Sequence, residues 1–224
     1  MRIHIITPFY RRHLVDVLIK RLEPFDIEWH PICDSVDMQP FEGGTLQWIH
    51  PLLVPPLQPS PMTAHRKCND FLDAGDIVDD DYYCFMGDDD MYEDGFFDVT
   101  RDIISAEHPG VIICSQYRGN ATPACDVGHH PFHALVMTRL EDIRAGNIGM
   151  PQYLVRGDIL KQVRFQEYEI WGDGYFAEEL RRRFPNDIRF ASDSWCFGGY
   201  FQPGRYTSAD TFRKPSWTLP EVTR

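Results

Sequence analysis

Between residues 82 and 87 the chain runs Tyr-Tyr-Cys-Phe-Met-Gly, with one aspartate triplet before it, Asp79-Asp80-Asp81, and another after it, Asp88-Asp89-Asp90. An apolar run this short and this sharply bounded reads as a buried strand. Such a strand separates the triplets by roughly 20–25 Å at ~3.3 Å per residue, so they belong to opposite ends of a sheet. Ligands of open α/β sheets gather at the carboxyl ends of the strands. Asp88 to Asp90 is therefore the expected site, and Asp79 to Asp81 the expected solvated turn. On an extended chain Asp88 and Asp90 share one face and Asp89 takes the other. Three anions this close repel one another. A hard divalent cation, Mn²⁺ or Mg²⁺, relieves that repulsion, prefers carboxylate oxygen and commonly also holds phosphates. The expectation is a metal–diphosphate site.

The rest of the chain sets the context. Its 224 residues suit one domain with a sizeable core. The apolar runs fall far short of a membrane span and no signal-peptide pattern opens the chain, so a cytoplasmic protein, or one peripheral at a membrane surface, is expected. The six cysteines are scattered without a CxxC pair and read as reduced, buried thiols. The formal charge of −12 argues against nucleic-acid binding. An acidic protein that takes an anionic phosphate ligand needs a cation between them. Without a metal, Arg11, Arg12 or Lys67 would have to carry the phosphates. Arg181-Arg182-Arg183 close a predicted helix, where cations offset the helix dipole.

Strands are predicted at Arg2 to Pro8, Ile27 to Cys33, Leu46 to Val54, Tyr82 to Gly87 and Val111 to Ser115. Further strands are expected at His133 to Arg139, Gln152 to Arg156 and Arg189 to Ser194. Helices are predicted over 12–23, 64–75, 94–107 and 174–184. The βαβ alternation in the first half implies an α/β fold with a mostly parallel, mixed sheet. Residues 1–197 are read as one domain and 198–224 as an irregular tail packed on or near the active site. There is no G-x-G-x-x-G after the first strand and no Walker loop. An EF-hand starting at Asp90 fails, because Tyr92 and Arg101 fall where oxygen ligands are required. His129, His130 and His133 form a short histidine cluster with no cysteine partner.

The order of motifs resembles a known family. A strand ends in Thr7-Pro8, a second ends in Asp34-Ser35, a helix carries Lys67-Cys68-Asn69, and an apolar strand ends in Asp88-Asp89-Asp90. This is similar to the GT-A (Rossmann-like) fold of nucleotide-sugar glycosyltransferases, most of all family 2, whose D-x-D motif Asp88 to Asp90 matches. The resemblance implies sugar transfer from a nucleotide-diphosphate donor, a UDP- or GDP-sugar, to the hydroxyl of a glycan, lipid-linked or small-molecule acceptor, with inversion. It implies donor contacts from Thr7, Pro8, Asp34, Lys67, Asn69, Asp88 and Asp89, and metal ligation by Asp88 and Asp90. Asp173, where the family has an acidic pair opening a helix, would be the catalytic base, and Trp171 beside it would stack on the acceptor sugar. The sequence departs from the family in two ways: Gly172 replaces the usual Glu, and no histidine follows His133 to serve as a late metal ligand. Asp173 also suits a helix N-cap, and Glu167 and Glu169 are alternative bases. A sugar-phosphate nucleotidyltransferase and a non-catalytic nucleotide-sugar or cation-binding domain are the competing readings.

Overall fold

The computed structural model describes residues 1–34, 46–55, 61–118 and 133–198. In chain order the strands are β1 (Ile3–Pro8), β2 (Glu28–Cys33), β3 (Leu52–Leu53), β4 (Tyr82–Phe85), β5 (Met91–Tyr92), β6 (Val111–Arg118), β7 (His133–Leu135), β8 (Tyr153–Arg156) and β9 (Ile188–Gly198). The helices are α1 (Val15–Leu22), α2 (Pro61–Ala74), α3 (Phe96–Glu107), α4 (Gly157–Leu160) and α5 (Gly172–Arg183). Among the described residues they form one mixed sheet in the order β3-β2-β1-β4-β8-β6-β9-β5, with β7 added on β6. The β3-β2-β1-β4 half is parallel. Beyond it β8 runs antiparallel to both β4 and β6, and β9 returns parallel to β6.

The side-chain alternation of the strands supplies two faces, and both are buried. Ile6, Ile32, Tyr83, Phe85, Val111 and Ile113 point into one cluster that takes Phe71 and Leu72 from α2 and Phe176 and Leu180 from α5. Ile5, Trp29, Cys84, Ile112 and Cys114 point into the other, with Leu18 and Leu22 from α1 and Phe96 and Ile104 from α3. The molecule is a three-layer α/β/α arrangement, which is why its central strands lack the polar alternation of a one-sided sheet. Fully burying each large apolar side chain contributes about 1.5–3 kcal/mol. Among the described residues no helix is long and apolar enough to cross a membrane.

Several elements differ from the sequence expectation. The expected strand over 46–54 contracts to the two residues of β3 plus a lone bridge between Ile49 and Trp29, because the proline-rich surroundings remove ladder donors. β4 ends at Phe85 rather than Gly87, and 88–89 form a turn, so the alternation argument for the Asp88 and Asp90 faces does not apply. The first triplet divides. Asp79 and Asp80 are exposed, but Asp81 is buried, where it accepts from the Arg2 backbone N–H at 2.6 Å and pairs with His4 at 3.2 Å. That burial corrects the reading of all three as a solvated turn. The five described cysteines are free and buried. Cys125, His129, His130 and the tail beyond 198 lie outside the described residues.

Candidate functional site

The parallel pairing of β2, β1 and β4 brings three predicted positions to one end of the sheet: Thr7 and Pro8 at the end of β1, Asp34 just past β2, and Asp88 to Asp90 past β4. Thr7 is fully buried and its hydroxyl accepts from the Trp29 indole N–H at 3.0 Å, so its side chain serves the core. The segment after β1 then folds over the acidic turn. The backbone N–H groups of Tyr10 and Arg11 donate to Asp88 Oδ2 at 2.8 and 2.7 Å, and the Arg11 guanidinium donates to Asp88 Oδ1. The same guanidinium lies 3.3 Å from Asp89 Oδ2. Asp90 accepts from the Gly87 N–H at 2.8 Å.

Burial pushes the Asp88 carboxyl above the usual carboxylate range, against the pull of Arg11 and the two N–H groups. Burial also works against the Arg11 charge, but Asp88 and then Asp89 outweigh it and hold its proton more tightly. Arg11 is the residue the sequence pattern undervalued. Its signal was an arginine pair directly after the first strand, in a chain this acidic.

α2 supports this segment from beneath. Lys67 is fully buried; its ammonium donates to the Phe9 carbonyl at 2.8 Å and lies 3.7 Å from the centre of the Tyr10 ring. The Tyr10 hydroxyl donates to Thr63 Oγ1 at 3.2 Å. Asn69 faces the other way. Its amide grips the Phe165 backbone through both N–H and C=O and donates to Glu167 Oε1 at 2.8 Å. The structure thus ties Lys67 and Asn69 to the two loops that border the site.

Asp173 lies in the first turn of α5, which starts at Gly172 with Trp171 as its N-cap residue, so Asp173 is not itself the cap. Its Oδ1 accepts from the Gly174 N–H at 2.8 Å. A side chain at Gly174 would meet the Ala145 Cα at 2.5 Å, so the turn packs against the rest of the molecule where that glycine sits. Asp173 neighbours Tyr153, whose hydroxyl burial first, and then the Asp173 charge, push far above its ordinary range. Trp171 is 48% exposed, and Tyr168 and Ile170 beside it are 90% and 59% exposed. Glu169 is also exposed, whereas Glu167 is tied to Asn69.

Among the described residues no three His, Cys, Asp or Glu side chains are grouped as a metal site. Both Asp88 oxygens accept from Arg11 and from backbone N–H groups, so a divalent cation held by Asp88 and Asp90 would have to displace the Arg11 guanidinium.

No family model and no curated protein matches the chain. Solved structures do. S. aureus TarS 1–349 aligns at TM-score 0.59 and 15% identity, over 88% of this chain and 60% of that one. The same protein in complex with UDP-GlcNAc aligns at 0.58 and 14% over 88% and 59%, and in complex with UDP at 0.57 and 14% over 88% and 61%. The chain therefore spans about three-fifths of the TarS 1–349 structures and 36% of another TarS structure, which aligns at TM-score 0.58 and 16% identity. At this identity the likeness is one of fold, and together with the sheet order and the end of the sheet that gathers the acidic turn, it makes the chain an α/β domain of the GT-A-like kind.

Proposed function

We propose that the chain transfers a sugar from a nucleoside-diphosphate donor to an acceptor hydroxyl, with inversion. The observation that carries this reading is the convergence, at the carboxyl end of the parallel half-sheet, of the Asp88–Asp90 turn and the Tyr10–Arg11 segment clasped to it. Ligand binding at that end is the rule for open α/β sheets, and TarS, which shares the fold, has been solved with UDP and with UDP-GlcNAc. In the proposed step the acceptor oxygen attacks the anomeric carbon while the bond from that carbon to the diphosphate breaks. The electron pair leaves with the nucleoside diphosphate, and the acceptor proton passes to Asp173 as general base. Trp171 offers an exposed aromatic face for the acceptor sugar.

Sequence pattern called for Mn²⁺ or Mg²⁺ at the acidic turn. Because both Asp88 oxygens are already engaged, no step is routed through a cation. Arg11 is the charged group best placed to face a diphosphate, and it would have to be shared with, or released from, Asp88 to do so.

The test is nucleotide-sugar binding by thermal shift and calorimetry, with Mn²⁺ and with EDTA, on the wild type and Arg11→Ala. We expect UDP or GDP to raise the melting temperature, by about 2.7 kcal/mol of stabilisation at a ligand concentration of 100 Kd. Binding is expected to persist in EDTA and to weaken in Arg11→Ala. Binding that needs Mn²⁺ and ignores Arg11 would return the cation to the site. No binding of any nucleotide sugar would defeat the transferase reading.

A further inference from the structure

Gly172, the position where the sequence departs from the family's acidic pair, has a structural cause. A Cβ placed there would lie 2.4 Å from the Gln166 carbonyl oxygen and 2.5 Å from His65 Nδ1. Neither neighbour can yield cheaply. The first is backbone, and the second belongs to a ring only 3% exposed. The imidazole of His65, on α2, stacks on Phe165 at 5.7 Å with 6° between planes, and Phe165 stacks on Phe176 of α5 at 4.2 Å and 9°. The Glu169 backbone faces the ring in a way that favours its proton, as a carbonyl accepting an N–H does. Burial nevertheless lowers the imidazole to about 4, so it is neutral at physiological pH. Its Nδ1 is buried without a hydrogen-bond partner and faces the glycine. Buried polar atoms are nearly always partnered, so an orphan beside a candidate base asks for a reason.

We infer that His65 is a positioning residue for Asp173: its imidazole takes the volume a side chain at 172 would need, holds the Glu169 carbonyl, and so fixes the turn of α5 that presents the candidate base. The functional half of this inference rests on the glycosyl-transfer reading; the packing half does not. The missing side chain at 172 is then half of a pair, with its volume filled by the imidazole from α2. A change at either partner shifts Asp173 without touching the donor end of the sheet.

The experiment is a double-mutant cycle of His65→Ala and Gly172→Ala, read by melting temperature, nucleotide Kd and transfer kcat, with His65→Gln as a third variant. Gly172→Ala alone should lower the melting temperature, and it should cost clearly less once His65 is already Ala, because the clash with the imidazole is gone and only that with the Gln166 carbonyl remains, and coupled neighbours do not add. His65→Ala should lower kcat roughly 10–100-fold, the scale of a misplaced reacting group, with nucleotide Kd unchanged. His65→Gln keeps an N–H donor for Glu169 and should recover most of that kcat, which a purely stabilising role would not produce. Additive melting-temperature losses at 65 and 172, or a normal kcat in His65→Ala, would overturn the assignment. If the wild type turns over no nucleotide sugar, the transferase reading fails by itself, and the melting-temperature cycle still decides the pairing: coupling upholds it and additivity ends it.

Discussion

Asp88 and Asp173 place their charges in different settings. Asp88 is nearly sealed, with its two oxygens spent on Arg11 and two backbone N–H groups, whereas Asp173 is half-buried on the first turn of a helix. Asp173→Asn keeps an acceptor oxygen for the Gly174 N–H and gives up a favourable charge–dipole contact worth about 0.3–1 kcal/mol. Its melting temperature and nucleotide affinity should therefore stay close to wild type. Its transfer rate should drop roughly 10²–10⁴-fold, the worth of a positioned base. A normal rate would move the role to Glu169, since Glu167 is committed to Asn69. Of these residues the sequence pattern pointed to both aspartates but not to the partners the structure gives them. Arg11 meets Asp88 across 77 positions, and His65 meets Gly172 from another helix. Local periodicity carries no information about pairs so far apart in the chain.

At the scale of the element, the long apolar strands were legible because burial on both faces leaves a continuous hydrophobic run. The antiparallel insertion of β8 between β4 and β6 was not, since pairing direction depends on the connections and not on the run itself. β1 and β2 also carry a histidine pair that only register could reveal. His4 Nδ1 and His30 Nε2 lie 2.9 Å apart, and His30 lies beside His50. Burial, then the neighbouring His4 and His50, lower His30 to about 3, while burial lowers His4 against the pull of Asp81. The sign follows. Above pH 6.5 both states are neutral at these rings and the full stability is present. As pH falls below 6.5, down to about 3 for His30, the unfolded chain binds protons that the folded chain refuses, so stability is lost at up to about 1.4 kcal/mol per pH unit for that ring, and His4 acts in the same direction. Asp81 adds to the same trend at lower pH: burial alone would raise it, but the bonds from His4 and the Arg2 N–H hold it below its ordinary range. Urea midpoints should fall between pH 7 and 5, and His30→Gln should flatten that slope. Equal midpoints at both pH values would contradict the buried-neutral assignment.

Across the whole molecule, the acidic turn is fixed by parts of the chain made at very different times. Directly after Asp90, Met91 and Tyr92 form β5, and β5 is held by Phe197 and Cys196 of β9. β9 can reach that far because its register against β6 slips between Cys114 and Ser115, passing from Ala191 to Trp195. The turn is thus anchored by β4 on one side and, about a hundred residues later, by the last described strand on the other. Closing so long a loop is entropically costly and slow compared with forming local helices. Nucleotide affinity should therefore be among the last properties to return when the unfolded chain is diluted from denaturant, lagging the far-ultraviolet helix signal. Simultaneous recovery of both would mean that the half-sheet alone suffices to shape the turn. On a ribosome the same geometry delays the acidic turn: a nascent chain still lacking β9 can be rich in helix and yet leave β5 without its partner strand.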